Sequence, residues 1–522
     1  MPGPEALILA IDQGTSATKT ALVNQAGAVV ARGAASVPVH HPRPGWVEQS
    51  PDEIWRSIEE AVNDCLSATG HGATGHGATG HGGLVGLALS TQRESLLLWD
   101  RRTGAARSPL ISWQDRRTAA MCQEYAPYAA TIREHSGLPL DPMFSATKAR
   151  WLLDQFDPDR TRAARGDLCL GTVDAWLLYR LTGEHRTEIG NASRMQLMDI
   201  RTGQWSPRLL DLFRVPPLAL PDIVASTGPF GRRGAGDALP RVPVLAVLGD
   251  SHAALFGHAG WRSGLVKATY GTGTSVMAAS SAGAGSRAGE GGAAGLCETI
   301  AWQAGPEPVR ALEGNIRSSG ATLAWLARLT GTTPAQLAEM AATASADGVH
   351  LVPGFNGLGA PWWDQEAAGL LTGLTLGTKL ENVARAALES VALQVNDLLL
   401  AIREAAGAAG VLSVDGGAVG NSALMQLQAD VSGITVLRPV TTDLSALGAA
   451  HLAGLAAGLW SAQDLDALPR PQDEFTPATG AQWRAREVSS WHAAISRARY
   501  RPGTAEPGPP EDSTPEHPME DA

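Results

Sequence analysis

Apolar and polar positions along this chain fall into two recurring patterns. An apolar run from Ala6 to Ile11 ends in Asp12, passes a polar stretch with Gly14, Thr15, Ser16 and Thr18, and resumes from Thr20 to Val23 before Asn24 and Gly27. Two short apolar runs around a glycine-centred polar turn predict a β-hairpin. The other pattern appears in SPDEIWRSIEEAVNDCL, where Ile54, Ile58, Ala61, Val62 and Cys65 recur at helical spacing. With Ser50 and Glu53 as a capping box and Pro51 at the first helical position, this stretch predicts an amphipathic helix. Further apolar runs, LVGLALS, VPVLAVLG, GLVKATY, TSVMAAS and GVLSVDGG, predict strands, and a long helix is expected from Leu380. Strands alternating with helices predict an α/β architecture.

The hairpin recurs. TYGTGTSV lies about half a chain after the first one, so two similar domains facing a shared cleft are expected. The boundary falls just beyond Asp250, giving residues 1–253 and 254–500, and the Pro-rich acidic tail 501–522 is expected to be disordered. Between the first helix and LVGLALS, residues 68–83 hold a five-residue ATGHG-type unit repeated three times. Its literal GxGxxG follows a helix and precedes a strand, the reverse of a dinucleotide fingerprint. A flexible surface insertion is the expectation, with His71, His76 and His81 solvated.

Composition narrows the partners. A formal net charge of -11 over 522 residues argues against nucleic acid or an anionic membrane surface. An anionic ligand must then be held locally, by backbone N–H groups, a few cations or a metal ion. The first residues lack a basic n-region and no run approaches the ~20 apolar residues of a membrane span, so a cytoplasmic protein is expected. Cys65, Cys122, Cys169 and Cys297 form no CxxC pair and read as reduced thiols.

Gly14-Thr15-Ser16 and Gly271-Thr272-Gly273 each offer converging N–H and hydroxyl donors of the kind phosphate oxygens take. Either turn alone is explained by hairpin geometry; the pair, with Asp12 at the head of the first, points to a nucleotide. No GxxxxGK[ST] pattern occurs. A third glycine turn, VDGGAVGN, would let backbone approach a flat ligand at Gly416 and Gly417, with Asn421 as a polar anchor.

These segments resemble the FGGY family of carbohydrate kinases, and within it the glycerol kinases. The match runs from AIDQGTSATKTALV through STQRESLLLWD, SWQDRRTA, NASRMQLMDI, GDSHAALFGHAG, VKATYGTG, ALEGN and VPGFNGLGAPWWD to SALGAAHLAGLAAG, nearly the whole chain. The resemblance implies an actin-like fold of two ribonuclease-H-like domains binding ATP with Mg2+. Carried over by motif, Asp12 and Asp250 are the metal-side carboxylates, Thr15, Ser16, Lys19, Thr272 and Gly273 face the phosphates, and Gly320, Gly417 and Asn421 border the adenosine. Ala324 stands where glycerol kinases carry a glutamine.

Asp250 is implied as catalytic base, a carboxylate closing a buried strand and accepting the acceptor's hydroxyl proton; a helix N-cap is its other reading. Arg93, Glu94 and Trp113 match positions that contact glycerol, and adjacent donor and acceptor groups suit neighbouring hydroxyls. Three positions depart from glycerol kinases: Met143 replaces a tyrosine, Ser251 a glutamine and Ser275 a phenylalanine. A roomier pocket follows, open to a four- or five-carbon polyol or a ketose such as xylulose. The expectation is phosphorylation of a terminal hydroxyl of a small polyol, glycerol first, with erythritol or a ketose as alternatives and a non-catalytic nucleotide-binding protein as the rival from another class. The partner is a small polyol or sugar, with neither nucleic acid nor a membrane, and with room for a homo-oligomer.

Overall fold

The computed structural model describes residues 6–68, 83–231, 239–280, 295–407 and 409–501. The His-Gly repeat, its three histidines and the acidic tail beyond residue 501 lie outside the described residues.

Two sheets share one plan. In the first half the strand order is Val244–Gly249, Leu84–Thr91, Leu7–Gln13, Ala17–Asn24, Val29–Ser36. The first three run parallel and the last two join antiparallel. In the second half Thr435–Pro439, Val411–Asp415, Leu265–Tyr270, Thr274–Ser280 and Val309–Ile316 repeat that order and those senses, with Gln472–Phe475 and Cys297–Trp302 added at the edges. This duplication is the two-domain, actin-like α/β fold expected from the sequence. Both expected hairpins form, and their strands extend further into the turn than the apolar runs do, leaving Gly14 to Ser16 and Gly271 to Gly273 as the tips.

Strand alternation decides what each face meets. Leu9 and Ile11 pack with Ile54, Ile58 and Val62 of the helix Pro51–Ser67. On the opposite face Ile8 and Ala10 join a cluster with Leu255, Phe256 and Leu444. That cluster lies between two helices, Asp250–Gly257 and Leu444–Ala456, which occupy the junction of the halves. They pack at backbone distance: a Cβ on Gly448 would stand 1.9 Å from the Ala253 carbonyl oxygen. Asp12, next on the Ile8–Ala10 face, therefore opens onto the cleft between the halves.

The helix beginning at Pro51 follows expectation in its start but only half of its capping box forms. Ser50 accepts the Glu53 N–H at 3.4 Å, whereas the Glu53 carboxylate turns to His40 Nε2 at 2.9 Å. The long helix spans Leu380–Ala406 and ends at Gly407 with φ +77°. All four cysteines are buried and unpaired. No helix among the described residues is long and apolar enough to cross a membrane.

Candidate active site

Asp12 is the last residue but one of the first strand, and Ser90 on the neighbouring parallel strand donates to its Oδ1 at 2.7 Å. Burial raises the Asp12 carboxyl to about 7 against that hydrogen bond, and the repulsion of Asp250 adds to the rise. Lys19, directly opposite Asp12 in the hairpin, leaves its ammonium half exposed and 3.6 Å from Asp443 of the second half. Thr15 and Ser16 sit at the tip, and Thr15 Oγ1 accepts the indole N–H of Trp113 at 2.9 Å. Trp113 is thus no core residue; 36% of it is exposed at the cleft wall.

Asp250 is the first residue of its helix, and Gly249 occupies the cap position, so the N-cap reading gives way. The Asp250 Oδ1 accepts the Ser251 N–H at 2.6 Å and lies 3.3 Å from Arg93 Nε. Burial raises this carboxyl even beside the Arg93 guanidinium, although 39% of the side chain still reaches solvent in the cleft. A base that is partly desolvated yet accessible suits proton abstraction near neutral pH.

Arg93 and Glu94 are deeply buried, which excludes a surface ion pair, and they pair with other residues rather than with each other. Glu94 holds a left-handed φ of +60°, a strained backbone that local packing must maintain, and its Oε1 accepts from Arg194 Nε at 2.6 Å. Arg93 donates both terminal nitrogens to Glu313 of the second half, at 2.9 and 2.6 Å. Arg194 and Glu313 lie inside NASRMQLMDI and ALEGN, and sequence reasoning assigned them no role. The local pattern carried no signal: Glu313 alternates with Leu312, Gly314 and Ile316 as a solvent-facing residue would, and Arg194 directly follows the short helix Ile189–Ser193.

The three departing positions behave differently. Met143 packs beside Leu138, Phe144 and Cys297, and its carbonyl accepts from the buried Lys148 ammonium at 2.6 Å. Ser275 turns its hydroxyl to Glu313 Oε1 at 3.1 Å. Ser251 contributes its backbone N–H to Asp250.

On the second half, Tyr270, Gly271, Thr272, Gly320, Ala324, Gly417 and Asn421 are among the residues that line a pocket of about 820 Å³. The second hairpin tip is held by the start of the helix Gly320–Thr330, where Ser319 and Ala321 N–H groups donate to the Thr272 carbonyl at 3.0 and 3.1 Å. A Cβ on Gly320 would lie 2.7 Å from the Gly271 carbonyl, so this glycine serves packing as well as the pocket wall. Around Gly417 no heavy atom lies within 4 Å of an added Cβ; the space it leaves is the pocket itself, a cradle for a flat ligand. Asn421 is committed in part to structure, its Oδ1 capping the helix Ser422–Ser432 through the Leu424 N–H at 3.1 Å. Its amide nitrogen is the group left for a ligand.

No cluster of three or more metal-ligating side chains occurs among the described residues. Asp12 and Asp250, two mutually repelling carboxylates facing the cleft, fit a hard divalent cation that arrives with phosphate and water as its other ligands.

A duplicated fold with a glycine hairpin from each half, a pocket of nucleotide size and a carboxylate beside a buried arginine suits a phosphotransferase with an alcohol group as acceptor. Residues 7–257 and 266–457 match the N-terminal and C-terminal domains of the FGGY family of carbohydrate kinases, and the chain belongs to that family. It is 41% identical over 501 residues to a glycerol kinase of Aromatoleum aromaticum, covering 94% of this chain and 98% of the relative. It is equally 41% identical over 507 residues to an apulose kinase of Pectobacterium atrosepticum, covering 95% and 99%. Among solved structures it is similar to Plasmodium falciparum glycerol kinase with ADP, with a TM-score of 0.85, 28% identity and coverage of 95% and 99%.

Proposed function

We propose that this kinase transfers the γ-phosphoryl group of magnesium ATP to a terminal hydroxyl of a small polyol, with glycerol as the first acceptor and glycerol 3-phosphate as product. The observation that carries the reading is the meeting of Asp250, Arg93 and Glu94 in one cleft bordered by the two hairpin tips. Asp250 takes the proton of the attacking hydroxyl as the new O–P bond forms and the bond to the β-phosphate oxygen breaks. Arg93 and Glu94 hold neighbouring hydroxyls as donor and acceptor, and the Trp113 ring lies along the carbon chain. Thr15, Ser16, Lys19, Thr272 and Gly273 supply the donors that neutralise and align the phosphates. Bound magnesium would screen charge on the transferring group beside Asp12 and Asp250.

Because the hairpins belong to separate halves, closing them over acceptor and ATP excludes water, so hydrolysis without acceptor is slow. In this reading residues 1–253 carry the acceptor side, residues 254–500 the nucleotide side, and the enzyme works in the cytoplasm.

A longer or branched sugar is the second reading. It is favoured by the small serines at 251 and 275 and by an apulose kinase being as similar as a glycerol kinase. Coupled ADP-release kinetics across glycerol, erythritol, xylitol, xylulose and apulose test both. A kcat/KM at least tenfold higher for glycerol supports the first; the same margin for a larger acceptor supports the second. Silence on every acceptor would defeat the kinase reading and revive a non-catalytic nucleotide-binding role.

A further inference from the structure

Two arginines from the first half converge on one carboxylate of the second. Glu313 is fully buried on the strand Val309–Ile316. Arg93 meets both of its oxygens, Nη1 to Oε2 at 2.9 Å and Nη2 to Oε1 at 2.6 Å. Arg194 Nη1 lies 3.0 Å from Oε2. A planar guanidinium held at both carboxylate oxygens is fixed in orientation as well as distance. The Nε of each arginine faces an acceptor-binding group: Arg93 Nε is 3.3 Å from Asp250 Oδ1, and Arg194 Nε donates to Glu94 Oε1 at 2.6 Å.

On its other side Glu313 is tied to the nucleotide half. It pairs in register with Met277, two residues beyond Ser275, on the strand that leaves the second hairpin. The hairpin tip and Glu313 are therefore joined through one antiparallel ladder. The buried set of Arg93, Arg194, Glu94 and Glu313 sums to no net charge, yet in proteins generally apolar side chains of similar volume often fill such a space with equal or greater stability. Burial pushes the Glu313 carboxyl up, but Arg194 and Arg93 outweigh it and keep the group ionised. A charged set retained at this location, joined to a strained Glu94, has its use in geometry.

We propose that Glu313 is the positioning residue of the acceptor pocket, orienting Arg93 directly and Glu94 through Arg194 from the opposite half of the molecule. The acceptor-binding side chains then take their working geometry only while the two halves are docked. The inference rests on the kinase reading above.

Glu313→Gln keeps the shape and removes the charge, and Glu313→Asp keeps the charge one methylene short. Steady-state ADP release with glycerol and the larger acceptors, alongside thermal unfolding, reads both. For E313Q the expected result is an acceptor KM raised at least tenfold with the KM for ATP within threefold of wild type. E313D is expected to recover part of the acceptor affinity. If E313Q does not fold, E313D alone carries the test, with an acceptor KM raised at least threefold at unchanged ATP KM. A folded variant with both constants within twofold of wild type, or with acceptor and ATP affinity lost equally, overturns the proposal. A wild-type chain inert toward every polyol would instead refute the kinase reading and this inference with it.

Discussion

Gly416 and Gly417 are adjacent, and the structure gives them opposite reasons for being glycine. Gly416 has φ +98°, and a Cβ there would stand 2.3 Å from the Tyr270 carbonyl oxygen. Alanine at such a φ costs about 1–3 kcal/mol in backbone strain. Forcing a methyl against a fixed backbone oxygen adds an overpacking penalty of about 1–3 kcal/mol. Gly416→Ala should therefore lose about 2–6 kcal/mol, a large part of the ~5–15 kcal/mol that keeps a domain folded. Gly417 meets nothing within 4 Å and borders the pocket of about 820 Å³. Gly417→Ala should stay within about 0.5 kcal/mol of wild type. Gly417→Leu should fold, yet its isobutyl group would occupy the space a nucleotide needs, raising the KM for ATP at least tenfold, about 1.4 kcal/mol, with the acceptor KM unchanged. Urea unfolding followed by tryptophan fluorescence measures the first effect and ADP-release kinetics the second. If G417A destabilises as much as G416A, or if G417L leaves the KM for ATP unmoved, the placement of the nucleotide against this turn is wrong.

Trp113→Phe keeps an aromatic ring and removes the 2.9 Å bond to Thr15; kcat/KM for the acceptor should fall roughly two- to tenfold, the equivalent of one hydrogen bond of about 0.5–1.5 kcal/mol, and an unchanged value would exclude Trp113 from positioning the first hairpin. His185 and His451 are held to about 3 and about 4 by burial, with Arg101 and Arg470 adding to it. Both lie below the ordinary value of 6.5, so the stability they contribute is complete above about pH 6.5 and is lost as pH falls toward 4. At pH 5 each would cost about 2 kcal/mol; urea midpoints should drop between pH 7 and 5, less steeply in His451→Phe, and an equal slope in that variant would contradict the argument. Because burial raises Asp250 above the usual aspartate value of 3.8 and the base must be ionised, kcat/KM should fall on the acid side at a pH above that value; a rate flat down to pH 4 would contradict it.

Much of this was legible in the chain. Strands that lead into chemistry stand out, because a continuous apolar run stops near a carboxylate, as at Asp12 and Asp250. Glycine turns repeated half a chain apart announced the duplication. The small sheet of Glu48–Gln49, Leu110–Ile111, Leu96–Asp100 and Leu168–Thr172 was not legible, since two of its strands are too short to carry a period and the other two, buried on both faces, show no alternation. Glu313 and Arg194 were passed over because each partner lies far away in sequence, 220 residues between Arg93 and Glu313 and 100 between Glu94 and Arg194. Ser275, expected to open the pocket by loss of a ring, also serves Glu313, a tie that only the register of Thr274–Ser280 against Val309–Ile316 brings about. Asn421 shows the same limit: a residue read as a ligand anchor spends its oxygen on a helix cap.

The measurement that bears most directly on the central claim compares wild type with Asp250→Asn in two assays, ADP affinity by calorimetry and acceptor-dependent ADP release with magnesium ATP. Asp250 as the base predicts a dissociation constant for ADP within about threefold of wild type and turnover lower by about 10²–10⁴-fold, with wild-type turnover requiring an added polyol. Turnover in D250N close to wild type, or ADP release in the wild type that proceeds equally without acceptor, would contradict it.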